Sequence, residues 1–172
     1  HAILSANYIA HSLKHKFKIL YKGKNNFVAH ECILDFRDLK SKTGLSVNDL
    51  AKRLIDYSFH APTISWPVPE TIMIEPTESE SLVELDRFCE AMLLIGEEIS
   101  EIEKNVALKN NNVISNAPHT LKELIADNWH YPYSKEKASF PYKTPTSIKF
   151  WSSVSRINNA YGDRNLICSC NV

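Results

Sequence analysis

Glycine is scarce in this chain: only four occur, at positions 23, 44, 96 and 162, and none stands close to another. A loop that wraps a phosphate in backbone N–H groups needs clustered glycines, so that mode of capture is excluded. An excess of either charge is missing as well. Twenty Lys and Arg face twenty Asp and Glu, which leaves no global field to recruit nucleic acid or an anionic membrane. Lys14, Lys16, Lys18, Lys22 and Lys24 alternate along one stretch and read as a solvated strand edge. No apolar run approaches the ~20 residues that cross a bilayer. The four cysteines, at 32, 89, 168 and 170, form neither a CxxC pair nor the framework of a small secreted fold. A metal site on the last two would lack two further ligands at suitable spacing, so no metal is expected. Cys32 and Cys89 sit in apolar patterns and are expected in the core. Cys168 and Cys170 close the chain, where one thiol can meet another, and are the redox candidates.

What is present suffices for one core. A chain of 172 residues, 44% hydrophobic, supports one domain with a tail. Ile3, Leu4, Ile9 and Leu13 predict a helix ending near His15. Phe17, Ile19 and Tyr21 alternate with lysines as a strand, Gly23–Asn26 is a turn, and Phe27–Phe36 reads as the returning strand, apolar on both faces and therefore central. Ser46, with Asp49 three residues on, starts a helix that carries Val47, Leu50, Ala51, Leu54 and Ile55. Thr63–Trp66 and Thr71–Glu75 are short extended segments parted by Pro67-Val68-Pro69. Pro76 ends the second, and Thr77 or Ser79 is expected to cap a long helix with Leu82, Leu85, Cys89, Met92, Ile99 and Ile102 in one stripe. This order of elements predicts an α+β domain over residues 1–106, an antiparallel-rich sheet covered by helices. Residues 107–172 read as a linker and C-terminal arm: an Asn-rich stretch, a short helix around Leu121–Ile125, then a run rich in proline and aromatic residues from Trp129.

Three blocks carry more than periodicity. Phe59–Ser81 reads FHAPTISWPVPETIMIEPTESES and continues as LVELDRFC through Cys89; Lys149–Cys170 reads KFWSSVSRINNAYGDRNLICSC; Ala6–Tyr8 is ANY, followed by YKGKNNFVAHECILDFR at Tyr21–Arg37. Together and in this order they are similar to the C-terminal part of the glycine cleavage system P-protein family, the pyridoxal-phosphate-dependent glycine decarboxylases. The resemblance implies the C-terminal small domain of a type I pyridoxal-phosphate enzyme, with an arm that follows a large domain. It implies decarboxylation of glycine and transfer of the aminomethyl group to the lipoyl arm of the H-protein. The complete protein is then several times longer, a homodimer, cytoplasmic in a bacterium or mitochondrial in a eukaryote. In the family the cofactor lysine lies in a His- and Gly-rich segment that has no counterpart here, so no catalytic residue is carried over. Pyridoxal phosphate is expected to be bound by a separate large domain or subunit and not by this chain alone. A second reading is a non-catalytic remnant or split-chain module that docks on the large domain without turnover. Asp38, Pro69-Glu70, Trp129-His130-Tyr131-Pro132, Ser152 and Asn171-Val172 depart from the family pattern.

Within these blocks His60, Thr63, Ser65 and Arg37 are the substrate-pocket candidates. His60 falls where a helix hands over to a strand, and either faces substrate or satisfies carbonyls at the helix end. Thr63 and Ser65 share one side by strand alternation. Arg37 either pairs with Asp35 or Asp38 or binds a carboxylate. His30 and Glu31, adjacent on a strand, point to opposite faces and make no dyad. Glu75 and Glu78 are expected to help cap the following helix. Met73 stands where, by resemblance, related enzymes carry an arginine for the substrate carboxylate. Trp129, Tyr131, Tyr133, Phe140, Tyr142, Phe150 and Trp151 are expected to present an apolar surface to the large domain.

Overall fold

The computed structural model describes residues 1–142 and 149–167. Helix α1, Ala2–Leu13, buries Ala6, Ile9, Ala10 and Leu13 at helical spacing. Strand β1, Lys18–Leu20, pairs antiparallel with β2, Cys32–Asp35. The returning strand is thus shorter than its apolar run predicts, and a side chain explains why. Asn7 of α1 accepts from the Val28 N–H at 2.9 Å and donates to the Val28 carbonyl at 2.8 Å. With both of its backbone groups satisfied by an amide, Val28 has no need of a neighbouring strand. The ladder begins only at Cys32.

A helix not anticipated from the sequence follows: α2, Leu39–Thr43, closed by Gly44 at φ 82°, the left-handed conformation that glycine adopts without strain. Helix α3, Val47–Asp56, carries the expected capping box, with Asp49 accepting from the Ser46 N–H at 2.8 Å. Glu70 completes that helix start by accepting from the Val47 N–H at 3.1 Å. Its own φ is 56°, so a bond to an otherwise orphaned donor offsets backbone strain at Glu70. Strands β3, Thr63–Ile64, and β4, Thr71–Ile74, complete an antiparallel sheet in the order β1-β2-β4-β3, with β2 inside.

Helix α4, Leu82–Glu103, packs against α1, α2 and α3. Its cap is Ser81, which accepts from the Glu84 N–H at 3.3 Å, and neither Thr77 nor Ser79 serves. Thr77 sits at φ 60° in the preceding turn and accepts from the Ser79 N–H. The capping role expected of Glu75 and Glu78 falls instead to Ser81, and Leu82 leaves the apolar stripe at 59% exposure, while Phe88, Ala91, Ile95 and Gly96 fill it. Cys32 lies opposite Ile74 and Leu34 opposite Ile72, so the four share one face of the sheet. All are buried with Leu13, Leu50, Leu54, Met92 and Ile95. Burial pushes the Cys32 thiol up to about 12 and that of Cys89 up to about 11.

The polypeptide after Val106 folds back on this body. Val113 and Ile114 join the same core, and α5, Leu121–Ile125, starts from a Thr120–Glu123 capping box. Helices α6, Lys135–Ser139, and α7, Asn159–Arg164, follow. The arm aromatics do not form the free docking surface expected of them. Tyr131 stacks on Tyr133 with centroids 5.3 Å apart, Trp129 meets Tyr131 edge-on at 4.9 Å, and Tyr142 meets Tyr57 edge-on at 5.2 Å. Phe140 and Phe150 alone among the seven are more than half exposed, at 54% and 58%.

At the sheet margin Asp35 accepts from Arg37 Nε at 2.8 Å and Nη2 at 2.7 Å and pairs with Lys18 at 3.0 Å. These bonds, that of Arg37 foremost, hold its carboxyl well below the usual range. The stabilisation is therefore complete above the unfolded value of about 3.9 and is lost as pH falls towards the folded one. Urea midpoints should fall more steeply on acidification from about pH 5 to 2.5 for the native chain than for Asp35→Asn; parallel slopes would show the pairs to be energetically silent.

Candidate active-site cleft

Tyr57 caps α3, and Ser58 at φ 64° turns the chain away from it. The next residues, Phe59 to Thr63, become the wall of a cleft. Its anchor is the Phe59 ring, with the Arg87 guanidinium 3.8 Å from the ring centre and the Phe88 ring edge-on at 5.2 Å. Arg87 is itself fixed, paired with Glu84 at 2.7 Å and donating to the Tyr57 carbonyl at 3.2 Å. Facing the wall is the end of β4, where Met73, Ile74, Glu75 and Pro76 follow one another. The space between them is about 580 Å³, and Ile9, Leu85, Phe88, Glu80 and Glu84 also line it.

Two of the four pocket candidates meet here. His60 and Thr63 line the cleft, and both are exposed. Ser65 does not line it: β3 ends at Ile64, so the alternation that would align Ser65 with Thr63 stops, and its hydroxyl accepts from the Glu70 N–H at 3.3 Å. Arg37 lies elsewhere. Asp35 is opposite Thr71 and Cys32 opposite Ile74, which places Arg37 at the far end of β4 from Glu75, bonded to Asp35 through two nitrogens. Glu75 has a different neighbour, His30, whose Nε2 is 3.9 Å from its carboxylate.

A second constellation escaped the sequence reading. Arg53 is fully buried, and all five of its N–H groups find acceptors: two on Glu98 at 3.0 and 2.6 Å, one on Asp56 at 2.8 Å, and the carbonyls of Ala138 at 2.7 Å and Lys137 at 2.8 Å. Burial opposes its charge, but the carboxylates of Glu98 and Asp56 outweigh that and hold the guanidinium more firmly protonated than usual. Asp56 also accepts from the His119 N–H and from His119 Nδ1, each at 2.8 Å. With its proton on Nδ1, His119 accepts at Nε2 from the Tyr133 hydroxyl at 2.9 Å, which in turn accepts from Asn116 at 3.0 Å. Arg53 and Asp56 stand on α3 among Leu50 and Leu54, and charges on an apolar stripe are the one signal by which sequence could have found them. Every member is satisfied within the protein, so this is a clamp between arm and body and not a reactive site.

Residues 1–119 match the family model described as glycine dehydrogenase, C-terminal domain. The chain belongs to this family. It is 60% identical over 169 residues to the glycine dehydrogenase (decarboxylating) of Prochlorococcus marinus strain NATL1A, which covers 98% of this chain and 18% of that protein. The glycine dehydrogenase (decarboxylating) of Thermosynechococcus vestitus is 57% identical over 171 residues, 99% of this chain and 18% of its own length. The mitochondrial protein of that name from Dictyostelium discoideum is 57% identical over 169 residues, 98% of this chain and 17% of its own. The chain thus spans under a fifth of the relatives it matches.

The cleft of this glycine dehydrogenase C-terminal domain does not fit a phosphate group. Its lining includes Glu75, Glu80 and Glu84 and no lysine or arginine, and the nearby Arg87 is neutralised by Glu84. Among the described residues no three His, Cys, Asp or Glu side chains gather as a metal site, and no helix is long and apolar enough to cross a membrane. The redox candidates Cys168 and Cys170 lie outside the described residues.

Proposed function

We propose that this chain is one wall of the active-site cleft of a pyridoxal-phosphate-dependent glycine decarboxylase, the remainder of which carries the cofactor. The observation that carries the reading is its match, along 98% of its length, to proteins named glycine dehydrogenase (decarboxylating). The small antiparallel sheet backed by helices supports its assignment as the small domain of a type I fold. Pyridoxal phosphate, when bound by the rest of the protein, supplies the electron sink for loss of carbon dioxide. This chain then contributes surroundings. His60 and Thr63 offer polar contacts on the wall, and Met73 and Phe88 add apolar surface to a lining that contains no lysine or arginine. A substrate carboxylate held against a wall without a cation is poorly paired, which favours its departure. The lipoylated H-protein, the homodimer and a bacterial cytoplasmic or eukaryotic mitochondrial location belong to the complete protein.

The test compares the chain alone with the complete protein. Alone it should form no borohydride-trappable adduct with pyridoxal phosphate and release no labelled carbon dioxide from carboxyl-labelled glycine. In the complete protein release should occur, and His60→Ala should lower kcat/KM by roughly tenfold, the effect of one lost polar contact. An adduct on a lysine of the isolated chain would overturn the assignment of the cofactor site, and an inactive complete protein would leave a docking module without turnover.

A further inference from the structure

Three consecutive residues lead into the cleft wall, and each is held by the C-terminal arm. The Asp56 carbonyl, at the end of α3, accepts from Lys149 Nζ. The Tyr142 hydroxyl is shared between the Tyr57 carbonyl at 3.4 Å and the Arg87 carbonyl at 3.2 Å, and its ring meets Tyr57 edge-on. Ser58 Oγ accepts from the Phe150 N–H at 2.9 Å. A helix end exposes carbonyls with no partner of their own, and a cation placed there answers both the orphaned oxygens and the negative end of the dipole. Ser58 moreover holds a left-handed φ of 64°, a conformation that persists in a non-glycine residue only where its surroundings impose it. The next residue is Phe59.

We infer that the arm is a strut for the active-site wall, with Lys149 and Tyr142 as positioning residues that set where Phe59, His60 and Thr63 stand. Neither lines the cleft; they act through the carbonyls of Asp56 and Tyr57, beside the Phe150 N–H that holds the Ser58 hydroxyl. The function of the strut rests on the reading of this cleft as the active site; its existence does not. Burial lowers the Lys149 ammonium to about 8, in keeping with an amine committed to a protein carbonyl and not to water.

Amide hydrogen exchange on the full chain tests the strut directly. In Lys149→Met, Tyr142→Phe and the double variant, peptides covering residues 57–63 should exchange faster, by roughly tenfold in the double variant, while those of α4 keep their protection and confirm that the body is folded. Lys149→Arg, which retains a cationic donor, should restore slow exchange, and the single Tyr142→Phe serves if the double variant does not fold. Unchanged exchange at 57–63 in Lys149→Met and Tyr142→Phe would overturn the inference. The same substitutions in the complete protein should raise KM for glycine by about fivefold with a smaller change in kcat. Faster exchange with unaltered KM leaves the strut in place and sinks the active-site reading.

Discussion

Arg53→Ala should cost the folded chain roughly 3–5 kcal/mol, as removing one partner of a buried ion pair does. The substitution leaves Glu98 and Asp56 without their cation and strips the Lys137 and Ala138 carbonyls of their donors. Against a total stability of about 5–15 kcal/mol, typical of a single domain, such a loss is decisive. Urea denaturation should show a midpoint lowered to match, and limited proteolysis should cut first in the segment around α6 once its anchor is gone. Arg53→Met combined with Glu98→Gln should recover part of the deficit, because it removes the buried charge along with its partner. A single Arg53→Ala variant within about 1 kcal/mol of the native chain would mean that the arm is held by its aromatic contacts and not by the clamp.

Gly96→Leu should destabilise by about 1–3 kcal/mol through overpacking. A Cβ built at Gly96 lies 2.5 Å from Lys16 Cε, 3.0 Å from Lys16 Cγ and 3.0 Å from Phe17 Cζ. The lysine end can swing aside, at the cost of its bond to Ser100. Phe17 cannot, since it is buried and set against Phe36 with ring centroids 5.4 Å apart. Gly96→Ala is the informative control: the ~1 kcal/mol that alanine gains over glycine in a helix works against the crowding, so the net change should be small. Equal stability of the leucine and native chains would show that the α1–β1 turn is free to move away from α4.

The sequence carried the fold well where one residue type decides the outcome. Apolar spacing placed α1, α3 and α4 within a few residues of their ends, Pro67 to Pro69 separated β3 from β4, and Ser46 with Asp49 marked the start of α3. It carried less where a side chain from a distant element intervenes. Asn7 shortens β2 from 21 residues upstream of Val28, and no local pattern at Val28 announces it. His60 and Thr63 line one cleft together because the motif that holds them is short and contiguous, which is the part of the site a sequence can show. Ser65 falls outside this cleft because alternation fails as soon as a strand stops, and the chain turns there through the left-handed Ser65 backbone. For Arg53 the charge on an apolar stripe is the one legible sign, and its carbonyl partners carry none, because they are backbone atoms that any residue supplies.

The separation between Arg53 and those carbonyls also orders events on the ribosome. Two of its acceptors lie 85 and 84 residues downstream, and a chain made at about 5–20 residues per second takes several seconds to deliver them. Until residue 138 has emerged, the guanidinium has Asp56 and then Glu98, but two of its N–H groups must stay in contact with water. The interior around α3 therefore cannot dry completely while the nascent chain is short. Sealing of this core is reserved for the moment at which the arm arrives.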